Sequence, residues 1–262
     1  MSIQKLPLEA VQKIRQHIKS SLVLPESENH PNSQASDASA GELSDLESLD
    51  ALGDWFKFAS VPEEAANAPN TEGQWFVSTI NPGVAITKLP GLSLKPGFRI
   101  VTYLNRAPDS GVGSTWVVPE AMSTTAQLEE ALQHCGDITQ PPHPKGALTD
   151  LMEAISGDFS PPSFIVASLL RRELQELGAL GKYCKWSHHR LINTVPPQVK
   201  WQWRTDIPKD LSPKVRVLEN GKTAIEFFTC RVVAPVAIFR HIDQYQPGQY
   251  QATSVDQAIA VI

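Results

Sequence analysis

Apolar residues at spacings of three and four first appear between residues 7 and 23, where Val11, Ile14, Ile18 and Leu22 line one side and Lys13, Arg15, Gln16 and Lys19 the other. That is the period of an α-helix, and Pro7 suits a first turn, so an amphipathic N-terminal helix is predicted. Leu43, Leu46, Leu49, Leu52, Trp55 and Phe56 then recur among Glu42, Asp45, Glu47, Asp50 and Asp54, which predicts a second, acidic amphipathic helix. From Trp75 the pattern becomes β-rich. The runs QWFVSTI, VAITKL, FRIVTYL and STWVVP are separated by Asn81-Pro82-Gly83, Lys95-Pro96-Gly97 and Asp109-Ser110-Gly111, all turn chemistry, and an antiparallel meander follows. Ser110 to Thr115 (SGVGST) reads as a hairpin turn, because a phosphate loop needs a lysine and a following helix that are missing here.

After Pro119 the helical period returns. Thr124-x-x-Gln127 is a capping box for a helix ending near Cys135, Ala147 to Ile155 is a short helix, and Ser160-Pro161-Pro162 is a strong start signal. Behind that signal Val166, Leu170, Leu174 and Leu177 form a stripe, joined by Ile165 and Leu169, with Arg171, Arg172, Glu173, Gln175 and Glu176 predicted to face outward. A further helix is expected from Lys182 to Ile192, stopped by Pro196-Pro197. Strands resume in VKWQWR, where a period of two puts Val199, Trp201 and Trp203 on one face and Lys200, Gln202 and Arg204 on the other. KVRVLENGKTAIEFF predicts a hairpin with a type I′ turn at Asn220-Gly221. TCRVVAPVAIF extends that sheet, with Pro235 at an edge or bulge, and Ser254-x-x-Gln257 caps a short C-terminal helix. The expected class is α+β: an antiparallel β-rich body, a central helical segment over about 124–192 and a C-terminal β-hairpin sheet.

Composition divides the chain. Between Pro25 and Asp54 there are eight acids and no Lys or Arg, so residues 25–54 are read as an acidic flexible linker between a helix at 1–24 and one α+β domain at 55–262. Hydrophobic residues make up 41% and charged ones 19%, enough for a substantial core. Three widely spaced cysteines do not form a secreted disulfide framework, and no signal-peptide core or run of ~18 apolar residues is present, so a cytoplasmic protein without a transmembrane segment is expected. The N-terminal helix lacks Trp and Phe and has modest cationic charge, so docking on the body or on a partner suits it better than a membrane surface.

Charge singles out Gly181 to Arg204, which carries five basic residues, two histidines and three of the six tryptophans without one acid, in a chain of net charge −5. Lys182, Lys185, His188, His189, Arg190, Lys200 and Arg204 are the candidate binding residues, and an acidic protein surface or nucleic acid the expected partner. The helix at 163–177, its GALG turn and the predicted helix behind it have helix-turn-helix proportions, with the hairpin as a wing, but a pI near 5.8 argues against general duplex affinity. A non-catalytic accessory or regulatory factor is therefore expected, with no metal, cofactor or catalytic residue assigned, and with residues 43–56 as a self-inhibitory clamp on the basic face. The alternative is an enzyme or metal site built on Cys184, His188 and His189. Lys182 and Lys185 favour a thiolate at Cys184, yet Cys184-x3-His188 and His134-Cys135 lack the common zinc-ligand spacing.

Overall fold

The structure, a computed structural model, describes residues 2–31, 70–197 and 199–262. Its strands are β1 (Ser2–Lys5), β2 (Trp75–Val77), β3 (Leu92–Leu94), β4 (Phe98–Ala107), β5 (Ser110–Pro119), β6 (Ile155–Gly157), β7 (His189–Ile192), β8 (Gln202–Trp203), β9 (Lys214–Val217), β10 (Thr223–Arg231), β11 (Ala237–Tyr245) and β12 (Ala252–Val261). The helices are α1 (Leu8–Ser21), α2 (Pro82–Thr87), α3 (Thr125–Glu130) and α4 (Pro161–Gln175). These elements make an α+β fold with antiparallel sheets.

Helix α4 is the hub. Ser160 accepts a hydrogen bond from the Ser163 amide, and prolines fill the first helical positions, where no N–H is needed. Ile165, Val166, Leu169 and Leu170 are fully buried, each contributing about 2 kcal/mol of apolar transfer. On one side α4 meets the largest sheet, in the order β1-β9-β10-β11-β12-β8. The outer edge of β10 is shared: β9 pairs with Thr223–Glu226 and β7 with Phe228–Arg231. On the other side lie β3-β6 and the β2-β4-β5 sheet, whose Ile100 and Val117 join the same core. Helix α3 covers the opposite face of β4 and β5 through Leu128.

The alternation of β10 separates two environments. Ile225 and Phe227 point with Thr229 toward α4. Phe228 points the other way, into a smaller cluster with Leu211, Ile238 and Ile259 that half-buried Trp201 and Trp203 complete. The large sheet is thus covered on both faces, by α4 and by Val195, Trp201, Trp203 and Leu211 of the chain after β7.

Several local expectations change. VAITKL forms α2, because Asn81 caps the Gly83 amide and Pro82 sits at its first position. Residues 110–115 lie within β5, and the hairpin turns at Pro108-Asp109. Gly113 is required there, since a Cβ would stand 1.9 Å from the Leu177 carbonyl oxygen. The predicted helix at 147–155 is a single 3-10 turn, Leu151–Ala154, running into β6. The predicted helix at 182–192 is two 3-10 turns, Gly181–Tyr183 and Trp186–His188, followed by β7, because the backbone of His189 to Ile192 pairs with β10. That removes the helix-turn-helix, and the 124–192 segment mixes α3 and α4 with β6 and β7. At Asn220-Gly221 only Gly221 has positive φ (+77°), so the hairpin uses a type I turn closed by the Leu218–Lys222 pair and not a type I′ turn. The C-terminal segment is the long strand β12. Arg172 and Glu173, predicted to face out, are buried.

Residues 26–31 pack on the body: Glu28 is buried and accepts from Ser78 Oγ at 2.5 Å and the Thr79 amide at 2.7 Å. The rest of the acidic segment, including the predicted helix at 43–56 and its clamp, lies outside the described residues. Among the described residues no helix is long and apolar enough to cross a membrane.

Candidate functional site

A cleft of about 440 Å³ opens between α4, β5, the 181–188 turns, β11 and β12, the size range of small-molecule sites. Two acids three residues apart, Glu173 in the last turn of α4 and Glu176 just past its end, hold the rim of the cleft. Glu176 accepts from the backbone amides of Lys185, Trp186 and Ser187, the last two at 2.5 Å. Glu173 accepts the Trp186 indole N–H at 2.8 Å and Arg15 Nε at 2.7 Å. Arg15 in turn donates to the carbonyls of Trp186 and His189, so α1 clamps the turn from behind. The ring of Trp186 is thereby fixed against His189, with centroids 5.5 Å apart and planes 27° apart.

The floor is a chain of hydrogen bonds across the sheet. His189 Nδ1 lies 2.7 Å from Thr229 Oγ1, which lies 2.8 Å from His241 Nε2, and His241 Nδ1 lies 2.7 Å from Asp256 Oδ1. Arg172 donates to Asp256 at 2.8 Å and to both oxygens of Asp243 at 2.5 and 3.0 Å. Burial lowers the pKa of His241, with Arg172 acting in the same direction against the Asp256 hydrogen bond that raises it. Burial, then the nearby His241 and Arg15, push His189 down from 6.5 to about 4. For Asp243 and Asp256 burial acts upward, but the Arg172 guanidinium and, for Asp256, the His241 hydrogen bond hold both below the usual carboxylate range. Burial opposes the charge of Arg172, yet its two aspartate partners raise it above the ordinary value.

These states give the chain one direction. A carboxylate at Asp256 accepts, so His241 carries its proton on Nδ1 and presents a bare Nε2. Thr229 donates to that nitrogen and accepts from His189 Nδ1–H. His189 Nε2 is left as an unprotonated acceptor, and it is not among the buried, unpartnered atoms. A hydroxyl, histidine and aspartate in this order have the connectivity of a nucleophilic triad. Thr229, however, is fully buried and its oxygen is engaged by two imidazoles, so it presents no nucleophile.

The predicted binding residues do not form one patch. Lys185 and His189 line this cleft, whereas Arg190 lines a separate groove with Lys19 and Gln16 of α1. Lys200 and Arg204 flank β8, separated from β7 by β10, β11 and β12. Lys182, Lys185, Arg190, Lys200 and Arg204 are exposed and His188 is half-buried, but His189 is buried and uncharged at neutral pH, so it is no surface cation. Cys184 donates to the Ala179 carbonyl, and among the described residues no three His, Cys, Asp or Glu side chains come together as a metal site.

Sequence reading missed Arg172, Thr229, His241, Asp243 and Asp256. A signal existed: His241 and Asp243 occupy alternate positions of β11 that share a face with buried Tyr245, where apolar residues are the rule. Searches of protein-family models, of curated proteins and of solved structures found no match to this chain.

Proposed function

We propose that this chain is a non-catalytic binding protein whose cleft takes a small planar molecule bearing an N–H or O–H donor. The observation that carries the reading is the hydrogen-bond chain of the floor: with Asp256 ionised it makes His189 Nε2 the acceptor that a ligand in the cleft, lined by His189 and Trp186, would meet. Asp256 adds a second acceptor, because its Oδ2 is unengaged among the described residues. Recognition is favoured over turnover because an imidazole with a pKa of about 4 is a weak base at neutral pH. Binding of benzimidazole and of 1-methylbenzimidazole, which lacks the N–H, tests this by calorimetry. The N–H compound should bind about tenfold tighter, the worth of one good hydrogen bond, and His189→Phe should remove the difference. Equal affinities in the wild-type protein would sink the reading.

A second reading keeps the acidic partner for a narrower surface. Arg190 of β7 and Lys19 of α1 converge on a groove of about 520 Å³ that also holds Gln12 and Gln16. Charge there would supply orientation and association rate to an acidic protein surface or nucleic acid. If so, Lys19→Glu with Arg190→Glu should abolish heparin retention, while Lys200→Glu should leave it unchanged.

A further inference from the structure

On the face of the large sheet opposite the cleft, one carboxylate is surrounded by three cations. Glu226 of β10 is buried and accepts from Lys214 Nζ at 3.0 Å and Arg216 Nη2 at 2.8 Å on Oε2, and from Arg240 Nε at 2.7 Å and Nη2 at 2.6 Å on Oε1. The cations come from the two strands that flank β10, so the sheet itself converges them. They line a depression of about 430 Å³, closed on one side by the 205–210 segment with Lys209.

Charge does not balance there. Asp210 is engaged by Lys5 at 2.9 Å and by the Ser212 amide at 2.9 Å, and Asp206 is the remaining acid lining the depression. Among the described residues that line it, four cations (Lys209, Lys214, Arg216, Arg240) against three acids (Asp206, Asp210, Glu226) leave a local charge of +1 within a chain of −5, and Lys5, from outside the lining, already pairs with Asp210. Arg216 Nε is buried and has no partner among the described residues, while Arg216 and Arg240 each keep more than a third of their side chain exposed. Glu226 alone faces three cations, and two of them are guanidinium groups, whose planar forks match tetrahedral oxyanions.

We propose that this depression binds a phosphate dianion, free or as the monoester of a small molecule, through Arg216, Arg240 and Lys214. Glu226 acts as the internal counter-ion that holds the two guanidiniums in place and competes with the ligand for their N–H groups. This site is independent of the cleft, because side chains of opposite parity on β10 and β11 build the two.

The experiment is calorimetric titration of the full chain with orthophosphate and with glycerol 3-phosphate at matched ionic strength. Saturable binding is expected for at least one, and a tighter monoester would assign the ligand to the esterified form. Arg216→Gln and Arg240→Gln should each weaken it tenfold or more, and Glu226→Gln should strengthen it several-fold by removing the competing carboxylate. His189→Phe should leave it unchanged, which separates this site from the cleft. No saturable binding of either compound, or full affinity retained in both arginine variants, would overturn the proposal. Weaker binding in a folded Glu226→Gln variant would do the same. If Glu226→Gln does not fold, Arg240→Gln decides, since that side chain is more than a third exposed.

Discussion

Arg15 of α1 and Glu173 of α4 meet at 2.7 Å, 158 residues apart in sequence, with side chains that are each only 8% exposed. The pair joins the N-terminal helix to the hub and, through the carbonyls of Trp186 and His189, fixes the cleft. Removing one partner strands a buried charge. Arg15→Ala should therefore cost about 3–5 kcal/mol, and replacing both residues with apolar ones of similar volume should cost much less. Urea denaturation of the single and double variants measures both, and equal losses would show that the charge pairing is not the cause.

Acid should destabilise the protein through its buried imidazoles. The folded pKa of His189 is depressed, so between 6.5 and about 4 the unfolded chain binds a proton that the native state refuses. Stability falls as pH drops through that window, by about 3 kcal/mol from this residue alone, and His241 acts in the same direction. Asp243 and Asp256, also depressed, contribute stability that is present above 3.8 and is lost below it. Urea midpoints at pH 7, 5.5 and 4.5 should decline steadily, and His189→Phe should flatten the slope. A midpoint constant from pH 7 to 4.5 would contradict the neutral, buried imidazoles.

Trp201 and Trp203 are half-buried and complete the smaller cluster, with the Trp201 indole N–H donating to the Pro196 carbonyl at 3.1 Å. Either Trp→Ala change should cost about 2–3 kcal/mol, below the ~3–5 of a fully buried aromatic. Thermal melts decide this, and an unchanged melting temperature would mean that these two side chains do not support the sheet.

The elements legible in the sequence are those whose signals are local. Ser160-Pro161-Pro162 for α4, the Thr124–Gln127 box for α3 and the Lys95-Pro96-Gly97 turn before β4 all lie where those residues point. The capping signal Ser254-x-x-Gln257 misled, because the backbone of 252–261 pairs with β11, and pairing across a sheet outweighs a local cap. The same cause hid β7. The site was half legible: Lys185 and His189 were singled out for charge, but the partners that neutralise and orient His189 stand 40 and more residues away, on strands whose register no local pattern reveals. Arg172 was misplaced because a basic residue on a helix is normally solvated, and only the depth of Asp243 on the facing strand makes its burial favourable.

The direction of the cleft floor depends on a single hydroxyl. Thr229 donates to His241 and accepts from His189, so Thr229→Val, nearly equal in volume, deletes both bonds without opening a cavity. It leaves His241 Nε2 and His189 Nδ1 without their partner in a buried setting, which should cost about 2–4 kcal/mol for the two groups. It also frees His189 to change tautomer, since nothing then holds the proton on Nδ1. Nitrogen-15 shifts of the imidazoles read this directly: in the wild-type protein both His189 and His241 should carry the proton on Nδ1, and in the variant His189 should move it to Nε2 while His241, held by Asp256, does not change. The cleft would then present a donor where it had an acceptor, and preference for an N–H ligand over its N-methyl form should disappear. A wild-type spectrum with His189 protonated on Nε2 would reverse the assigned direction and remove the basis for a donor-bearing ligand.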